Sequence, residues 1–183
     1  MSAAIAWRTA RLCCRLAKPD NAAALWHYRT ANREHLAPWE PLRDEAYYTL
    51  AHARRSLAEW MTGVARDQAY PILMFDRDER TVLGSLTFSS VVRGAFQACQ
   101  LGYGLVADQQ GRGLMREALV PALAWAFGPL GLHRVMASYL PRNARSGRLL
   151  AALGFEREGL ARRYLQIAGT WEDHVLTAKI APG

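Results

Sequence analysis

Apolar and polar residues recur along this chain with two different periods, which separates strands from helices. Short alternating or continuous apolar runs predict strands at residues 11–16, 70–76, 82–90, 95–106, 133–139, 155–159 and 173–179. Apolar residues every three or four positions predict helices at residues 22–30, 44–65, 114–127 and 144–153. The order β-α-α-β-β-β-α-β-α-β-β predicts an α/β fold, a mixed central β-sheet flanked by helices.

Local signals define the ends of these elements. Asp20 is the predicted N-cap of the first helix, and Asn143 that of the last, which Gly154 ends. Two prolines, at positions 38 and 41, predict that residues 32–43 form a loop. Pro121 removes a backbone hydrogen bond and is predicted to bend the helix 114–127.

Residues 110–118 read QGRGLMREA and lie where a predicted strand turns into a predicted helix. Two glycines at this place leave backbone N–H groups free and aim them at one point. The positive end of the helix dipole lies behind them, and such a place binds phosphate. The sequence therefore predicts a phosphorylated ligand.

Four interpretations of the loop compete. A nucleotide-triphosphate P-loop requires Lys-Ser/Thr after its last glycine, and Leu114-Met115 stand there. A dinucleotide motif placed on residues 102–107 would lie inside a strand rather than after it. A glycine-rich turn before a core helix, without a ligand, is the third. In the fourth, the loop resembles the Gln/Arg-x-x-Gly-x-Gly/Ala pyrophosphate loop of the GCN5-related N-acetyltransferases, with Met115 at its last position.

The departure at Met115 is itself informative. The string Gly-x-Gly-x-Met-x-x-Glu-Ala resembles the branch of this superfamily that acetylates the N-termini of ribosomal proteins. Within it the chain resembles the ribosomal-protein-alanine N-acetyltransferases, which act on the fifth small-subunit protein. Further stretches share this resemblance: residues 38–41 (PWEP), 91–94 (VVRG), 133–137 (HRVMA), 141–147 (PRNARSG), 153–156 (LGFE) and 171–178 (WEDHVLTA). It spans about residues 8–180 and implies a single acetyltransferase domain over residues 1–183.

The resemblance implies acetyl-CoA as cosubstrate and assigns it a set of residues. The strand before the loop should splay from its neighbour, and a backbone N–H at Leu105 or Val106 should stabilise the oxyanion. Asn143 should contact pantetheine, and Ser146 should face the sulfur and return a proton to the departing thiolate. The pyrophosphate should be held by the backbone of Gln110, Gly111, Arg112, Gly113, Leu114 and Met115.

Fewer residues indicate where the amine substrate binds. An α-amine has a pKa of about 7.7–8.0, so a weak base or a water relay is enough to deprotonate it. Glu40 is the candidate for that base or for holding the α-ammonium, and Asp173 is the alternative base. Tyr103 is either a proton donor or a packed sheet residue. Gln100 stands where some acetyltransferases carry a glutamate.

The 183 residues suffice for one domain, and 51% of them are hydrophobic. The formal net charge is +7, and lysine supplies only Lys18 and Lys179 of the positive charge. Since the arginines form no run with interleaved aromatics, solvated charge is the default interpretation. The basic surface also permits contact with the ribosome or rRNA and attracts a phosphorylated cosubstrate.

Cysteine and histidine positions predict no metal centre. Cys13, Cys14 and Cys99 form no CxxC pair, which is typical of reduced thiols, and the histidines are scattered. The apolar stretch 118–132 is interrupted by proline and glycine, so no membrane span is expected. No export signal is recognised, and we expect a cytoplasmic location.

The leading hypothesis is transfer of acetyl from acetyl-CoA to the N-terminal alanine α-amine of a small-subunit ribosomal protein, by direct attack in a ternary complex. A small-molecule amine is the first alternative. A polyamine would require several carboxylates, which the +7 charge does not favour. A ribosome assembly factor with secondary catalysis is the second alternative. The sequence predicts no oligomeric state.

Overall fold

The computed structural model describes residues 5–182, in which eight strands form one sheet of order β1-β2-β3-β4-β5-β6-β8-β7. Every neighbouring pair is antiparallel except β5 and β6. The strands are β1 (Ala6–Arg8), β2 (Leu12–Leu16), β3 (Tyr70–Asp76), β4 (Val82–Val92), β5 (Ala98–Leu105), β6 (Arg134–Tyr139), β7 (Glu156–Ile167) and β8 (Thr170–Ile180). The helices are α1 (Ala22–Ala31), α2 (Arg33–Leu36), α3 (Leu50–Ala65), α4 (Leu114–Phe127) and α5 (Ala144–Ala152). The predicted mixed sheet with flanking helices is confirmed.

A hydrophobic core lies on each face of the sheet, and β3 shows why. Successive side chains of a strand point to opposite faces. Ile72 and Met74 accordingly pack in the cluster under α4, whereas Leu73 and Phe75 pack in the cluster under α1 and α3. Helix α4 runs without interruption through Pro121. The chain therefore forms helix, sheet and helix layers.

Two strands differ from the prediction for the same reason. Strand β1 was missed, and β7 extends to Ile167 rather than stopping at residue 159. Most residues of both strands are solvent-exposed, so neither shows the alternation that marks a half-buried strand. Their pairing partners, β2 and β8, determine their position instead.

The region before α3 also corrects the prediction. Asn21, not Asp20, precedes α1, and its Oδ1 accepts from the Lys18 backbone N–H at 3.0 Å rather than capping the helix. The predicted loop 32–43 contains α2 and a 3-10 turn. The predicted helix 44–65 begins only at Leu50, because extended Thr49 ends a separate 3-10 turn and caps α3. The cap at Thr49 thus divides a segment that hydrophobic periodicity alone predicted to be one helix.

Strands β5 and β6 diverge, as the resemblance implies. Their parallel pairing covers only Ala98–Gln100 of β5, opposite Arg134–Met136 of β6. Beyond that point β5 pairs only with β4, as far as Leu105. One edge of residues 101–105 is consequently open, with backbone groups that no neighbouring strand uses.

Glu117 of α4 is hydrogen-bonded to the turn between β1 and β2. Its carboxylate accepts from the Thr9 hydroxyl, from the Arg11 backbone N–H at 2.9 Å and from Arg11 Nε at 2.7 Å. Burial raises the pKa of Glu117, but these bonds outweigh burial and the net pKa is lowered. The stabilisation is therefore present above the unfolded-state pKa and is lost as pH falls through the lower folded pKa.

We expect Glu117→Gln to lower the free energy of unfolding by about 2 kcal/mol at pH 7, because hydrogen bonds to a charged group are worth about 1.5–3 kcal/mol. Denaturant titration measures the loss, and the difference from the unsubstituted protein should shrink below a pH of about 4. Glu59→Gln is the control, since Glu59 lies exposed on α3. Equal unfolding free energies for both variants at pH 7 would contradict the prediction.

Candidate active site

The predicted phosphate loop has the required geometry. Gly111 and Gly113 adopt positive φ values of 73° and 78°, which glycine tolerates without strain. Gly113 is the N-cap of α4, and the first helical bond is Glu117 N–H to Gly113 O at 3.0 Å. Between residues 5 and 182, no group accepts a hydrogen bond from the backbone N–H groups of residues 111–116. This is the arrangement that an anion at a helix N-terminus would satisfy.

A cavity of about 600 Å³ begins at this loop. Three arginines lie on its wall: Arg116, Arg145 and Arg148. Seven of the predicted cosubstrate residues also line it: Leu105, Gln110, Gly111, Gly113, Leu114, Met115 and Asn143. Free backbone donors and guanidinium groups thus surround one volume, which suits a diphosphate.

Arg112 and Val106 do not line this cavity. The Arg112 carbonyl accepts from Arg11 Nη1 at 2.9 Å, and its guanidinium donates to Gln109 at 2.7 Å. The Val106 N–H donates to the Leu83 carbonyl of β4 at 2.9 Å. Since antiparallel residues alternate in direction, the Leu105 N–H points away from β4 into the splayed gap. The structure narrows the expected oxyanion donor to Leu105.

Sequence analysis assigned no role to His35, which is in contact with the loop. Arg145 donates to Gln110 Oε1, so Gln110 Nε2 faces His35, whose Nε2 lies 2.9 Å away. The same ring nitrogen lies 3.2 Å from the Leu105 carbonyl oxygen. His35 is on α2, in a segment predicted to be loop. Contact with His35 therefore holds in place the side chain of Gln110, the first residue of the phosphate loop.

Ser146 and Tyr103 form a pair at the open end of the splayed strands. Their hydroxyl oxygens are 2.7 Å apart, and the Ser146 backbone N–H donates to Asn143 Oδ1 at 3.1 Å. The predicted capping role of Asn143 is therefore confirmed. Burial raises the pKa of Tyr103 to about 12, so this hydroxyl keeps its proton at neutral pH. Tyr103 is packed in the sheet and also available as a donor.

A second cavity, of about 1020 Å³, meets the first at this pair. The two share Tyr103, Asn143 and Ser146 in their walls. Glu40 lies in the second cavity, and it supplies the one carboxylate among the lining residues in the described part of the chain. Burial raises its pKa, although Arg43 and Arg29 oppose this effect. Glu40 is thus a stronger proton acceptor than an exposed glutamate, because its pKa is raised.

The two other polar candidates for the amine side occupy different places. Asp173 does not line the cavity, because its Oδ1 accepts the Arg163 backbone N–H at 2.8 Å in the β7–β8 hairpin. Gln100 does line it. His174, which sequence reasoning passed over, is 4% exposed and faces the same cavity, with Nδ1 donating to the Glu172 carbonyl at 3.1 Å. The structure thus favours Glu40 over Asp173 and adds His174.

Comparison with known proteins decides the family. The sequence family described as Acetyltransferase (GNAT) domain matches residues 11–156. The chain belongs to the GNAT acetyltransferases. It is 45% identical over 174 residues to the [Ribosomal protein uS5]-alanine N-acetyltransferase of Escherichia coli (strain K12), covering 95% of this chain and 90% of that one. The family inferred from the loop and its companion motifs is confirmed.

Solved structures agree with this assignment. The ribosomal-protein-S5-alanine acetyltransferase of Vibrio fischeri superposes with a TM-score of 0.93 at 38% identity and 97% coverage of both chains. RimJ of Mycobacterium smegmatis, solved in complex with CoA-disulfide, gives a TM-score of 0.88 at 31% identity, covering 93% of this chain and 82% of that one. The predicted GNAT fold is therefore confirmed.

The described part of the acetyltransferase shows neither a metal centre nor a membrane-spanning helix. Residues 5–182 contain no group of three or more His, Cys, Asp or Glu side chains placed to hold a metal ion. Burial raises the pKa of Cys14 and of Cys99 to about 12, which leaves these thiols unreactive. Over the same residues, none of the helices is long and apolar enough to span a membrane.

Proposed function

We propose that this acetyltransferase transfers the acetyl group of acetyl-CoA to the N-terminal α-amine of a ribosomal protein, with an alanine of the fifth small-subunit protein as its substrate. The observation that carries the proposal is the meeting of the two cavities at Tyr103, Asn143 and Ser146. A phosphate loop lies along one cavity and Glu40 in the other. The Escherichia coli and Vibrio fischeri relatives named above are ribosomal-protein alanine acetyltransferases, and a cytoplasmic location follows from that substrate.

The first cavity is suited to hold the cosubstrate. Backbone N–H groups of residues 111–116 would bind its pyrophosphate, and the open edge of β5 would pair with its pantetheine amides. Acetyl-CoA supplies the reactive thioester. The free Leu105 N–H would donate to the thioester oxygen as negative charge develops there, which is the most effective position for a donor.

The second cavity admits the amine. A substrate α-amine, with a pKa of about 7.7–8.0, is partly neutral near pH 7. Glu40 would hold the ammonium form and accept its proton, directly or through water. Attack on the thioester would then occur with both substrates bound, since the two cavities adjoin at Ser146 and Tyr103.

The departing thiolate requires a proton, and Ser146 in the shared wall is the candidate donor. Tyr103 can replace the proton that Ser146 gives, because their hydroxyls are hydrogen-bonded. We expect Ser146→Ala to lower kcat about 10-fold with little change in KM for acetyl-CoA, because a thiol of pKa about 8.5 needs little assistance. Tyr103→Phe should lower kcat less, and the double variant should match Ser146→Ala. Unchanged kcat in Ser146→Ala would remove the proton-donor role.

The decisive experiment uses peptides that begin with Ala, Ser or Met. The enzyme is incubated with acetyl-CoA and each peptide, and mass spectrometry locates the acetyl group. We expect acetyl on the α-amine, with the Ala peptide fastest. Acetyl found only on lysine side chains, or on none of the peptides, would overturn the proposal.

A small-molecule amine is less well supported by the cavity. Its described lining carries one carboxylate, Glu40, beside the guanidinium groups of Arg29 and Arg43. A polyamine has several cationic nitrogens and would need more acidic partners. Spermidine in the same assay is therefore expected to react far more slowly than the Ala peptide. Contact with rRNA through the basic surface stays a prediction, measurable as binding to small subunits.

A further inference from the structure

Arg29 lines the amine-binding cavity with most of its hydrogen-bonding capacity unused. The residue lies on α1 and is only 6% exposed. A guanidinium has five N–H donors. Within residues 5–182, its polar contacts are a hydrogen bond from Nη1 to Ser56 Oγ at 3.2 Å and the nearby Tyr47 hydroxyl, and no carboxylate comes within 4.0 Å. A buried charge in this state is costly unless something else pairs with it.

The unused donors of Arg29 reach the cavity. None of its nitrogens is both fully enclosed and without a partner, so those that lack a bond still have access to solvent. Because the residue is almost entirely covered by protein, the remaining access is through the cavity that it lines. Its planar group lies 4.2 Å from the ring centre of Tyr47 and 5.6 Å from that of Trp60, which holds it in place.

Arg43 supplies a second guanidinium to the same wall. It lies 4.6 Å from the ring centre of Tyr47, and its Nε is 4.0 Å from Glu40 Oε2. The Tyr47 ring therefore contacts two guanidinium groups, that of Arg29 from α1 and that of Arg43 from the loop after Trp39. Two cations and one carboxylate leave this wall with a net positive charge, which an ammonium group alone would not balance.

We propose that Arg29 and Arg43 form a subsite for a side-chain carboxylate of the substrate protein, an Asp or Glu within the first few residues after its N-terminal amine. The subsite rests on the proposed function, with Glu40 facing the ammonium. An extended peptide advances about 3.3 Å per residue. A cavity of about 1020 Å³ holds more than the terminal residue. A substrate with one ammonium for Glu40 and one nearby carboxylate shared by the two guanidinium groups gives every charged group of this wall an opposite partner.

The experiment uses Ala-initiated peptides in which a single Glu is placed at position 2, 3, 4 or 5 of a Gln-containing parent. Initial rates give kcat/KM for each peptide. We expect Glu at one of these positions to raise kcat/KM about 10-fold over the parent, which is about 1.4 kcal/mol. High salt should reduce this ratio, because the interaction is between charges.

Enzyme variants assign the preference to the two arginines. Arg43→Gln should bring the Glu-to-Gln ratio close to one, and Arg29→Lys should reduce it, since an ammonium cannot form a bidentate bond. Arg54→Gln is the matched control, because Arg54 is exposed on α3 and outside the cavity lining, and it should keep the full ratio. The ratio is used because loss of a neighbour of Glu40 can change the rate with every peptide.

Two results would overturn the subsite. One is equal kcat/KM for all four Glu peptides and the Gln parent. The other is a Glu preference that persists in both Arg43→Gln and Arg29→Lys, which would place its source elsewhere. Acetylation of the parent on its α-amine keeps the proposed function intact in either case. Failure of every peptide to react would instead reject the proposed function.

Discussion

Replacing Gly113 with glutamate is expected to abolish acetyl-CoA binding. A Cβ at this position has room, since its nearest neighbour would be Arg11 Nη2 at 3.7 Å. The effect therefore comes from charge and backbone conformation. The glutamate carboxylate would lie at the N-terminus of α4, beside the free N–H groups that are proposed to bind the diphosphate. In addition, the backbone φ of 78° is unfavourable for any residue with a Cβ.

Affinity for acetyl-CoA, measured by isothermal titration calorimetry, should fall at least ~100-fold. Two lost bonds to a charged oxygen, at about 1.5–3 kcal/mol each, already exceed the ~2.7 kcal/mol that this factor requires. Gly131→Glu is the control, because Gly131 has a φ of 68°, open space around it and no place in either cavity lining. An unchanged affinity in Gly113→Glu would overturn the assignment of the loop.

The phosphate loop could be predicted because everything it requires is local in sequence. Two glycines at fixed spacing, an apolar strand before them and a helical period after them specify the turn. The Asn143 cap is local too. The splay of β5 from β6 was available only through the resemblance, because strand pairing involves residues far apart in the chain.

The amine-binding cavity could not be predicted in the same way. Arg29 comes from α1, Glu40 and Arg43 from the loop after Trp39, and His174 from β8. None of these positions has a spacing that links it to another. Glu40 was found because it belongs to a motif, whereas Arg29 resembled any other helix arginine until its burial was known. Burial and shared lining, not sequence pattern, identify this part of the site.

Glu40→Gln is expected to lower kcat/KM for an Ala-initiated peptide about 100-fold, the lower range for loss of a general base. The substitution keeps the size of the side chain and removes its charge. Because burial raises the pKa of Glu40, the unsubstituted enzyme should lose kcat/KM in mildly acidic solution as this carboxylate takes up a proton. The variant should lose this part of the pH dependence and retain only that of the substrate amine.

Unfolding should not account for the loss. A carboxyl group whose pKa is raised on folding makes the protein less stable as pH rises, so a neutral Gln at pH 7 is expected to leave stability unchanged or slightly higher. Glu45→Gln is the matched control, since Glu45 is exposed and pairs with Arg33 outside the cavity. If Glu40→Gln retains full kcat/KM, the proton acceptor must be sought at His174, whose ring faces the same cavity.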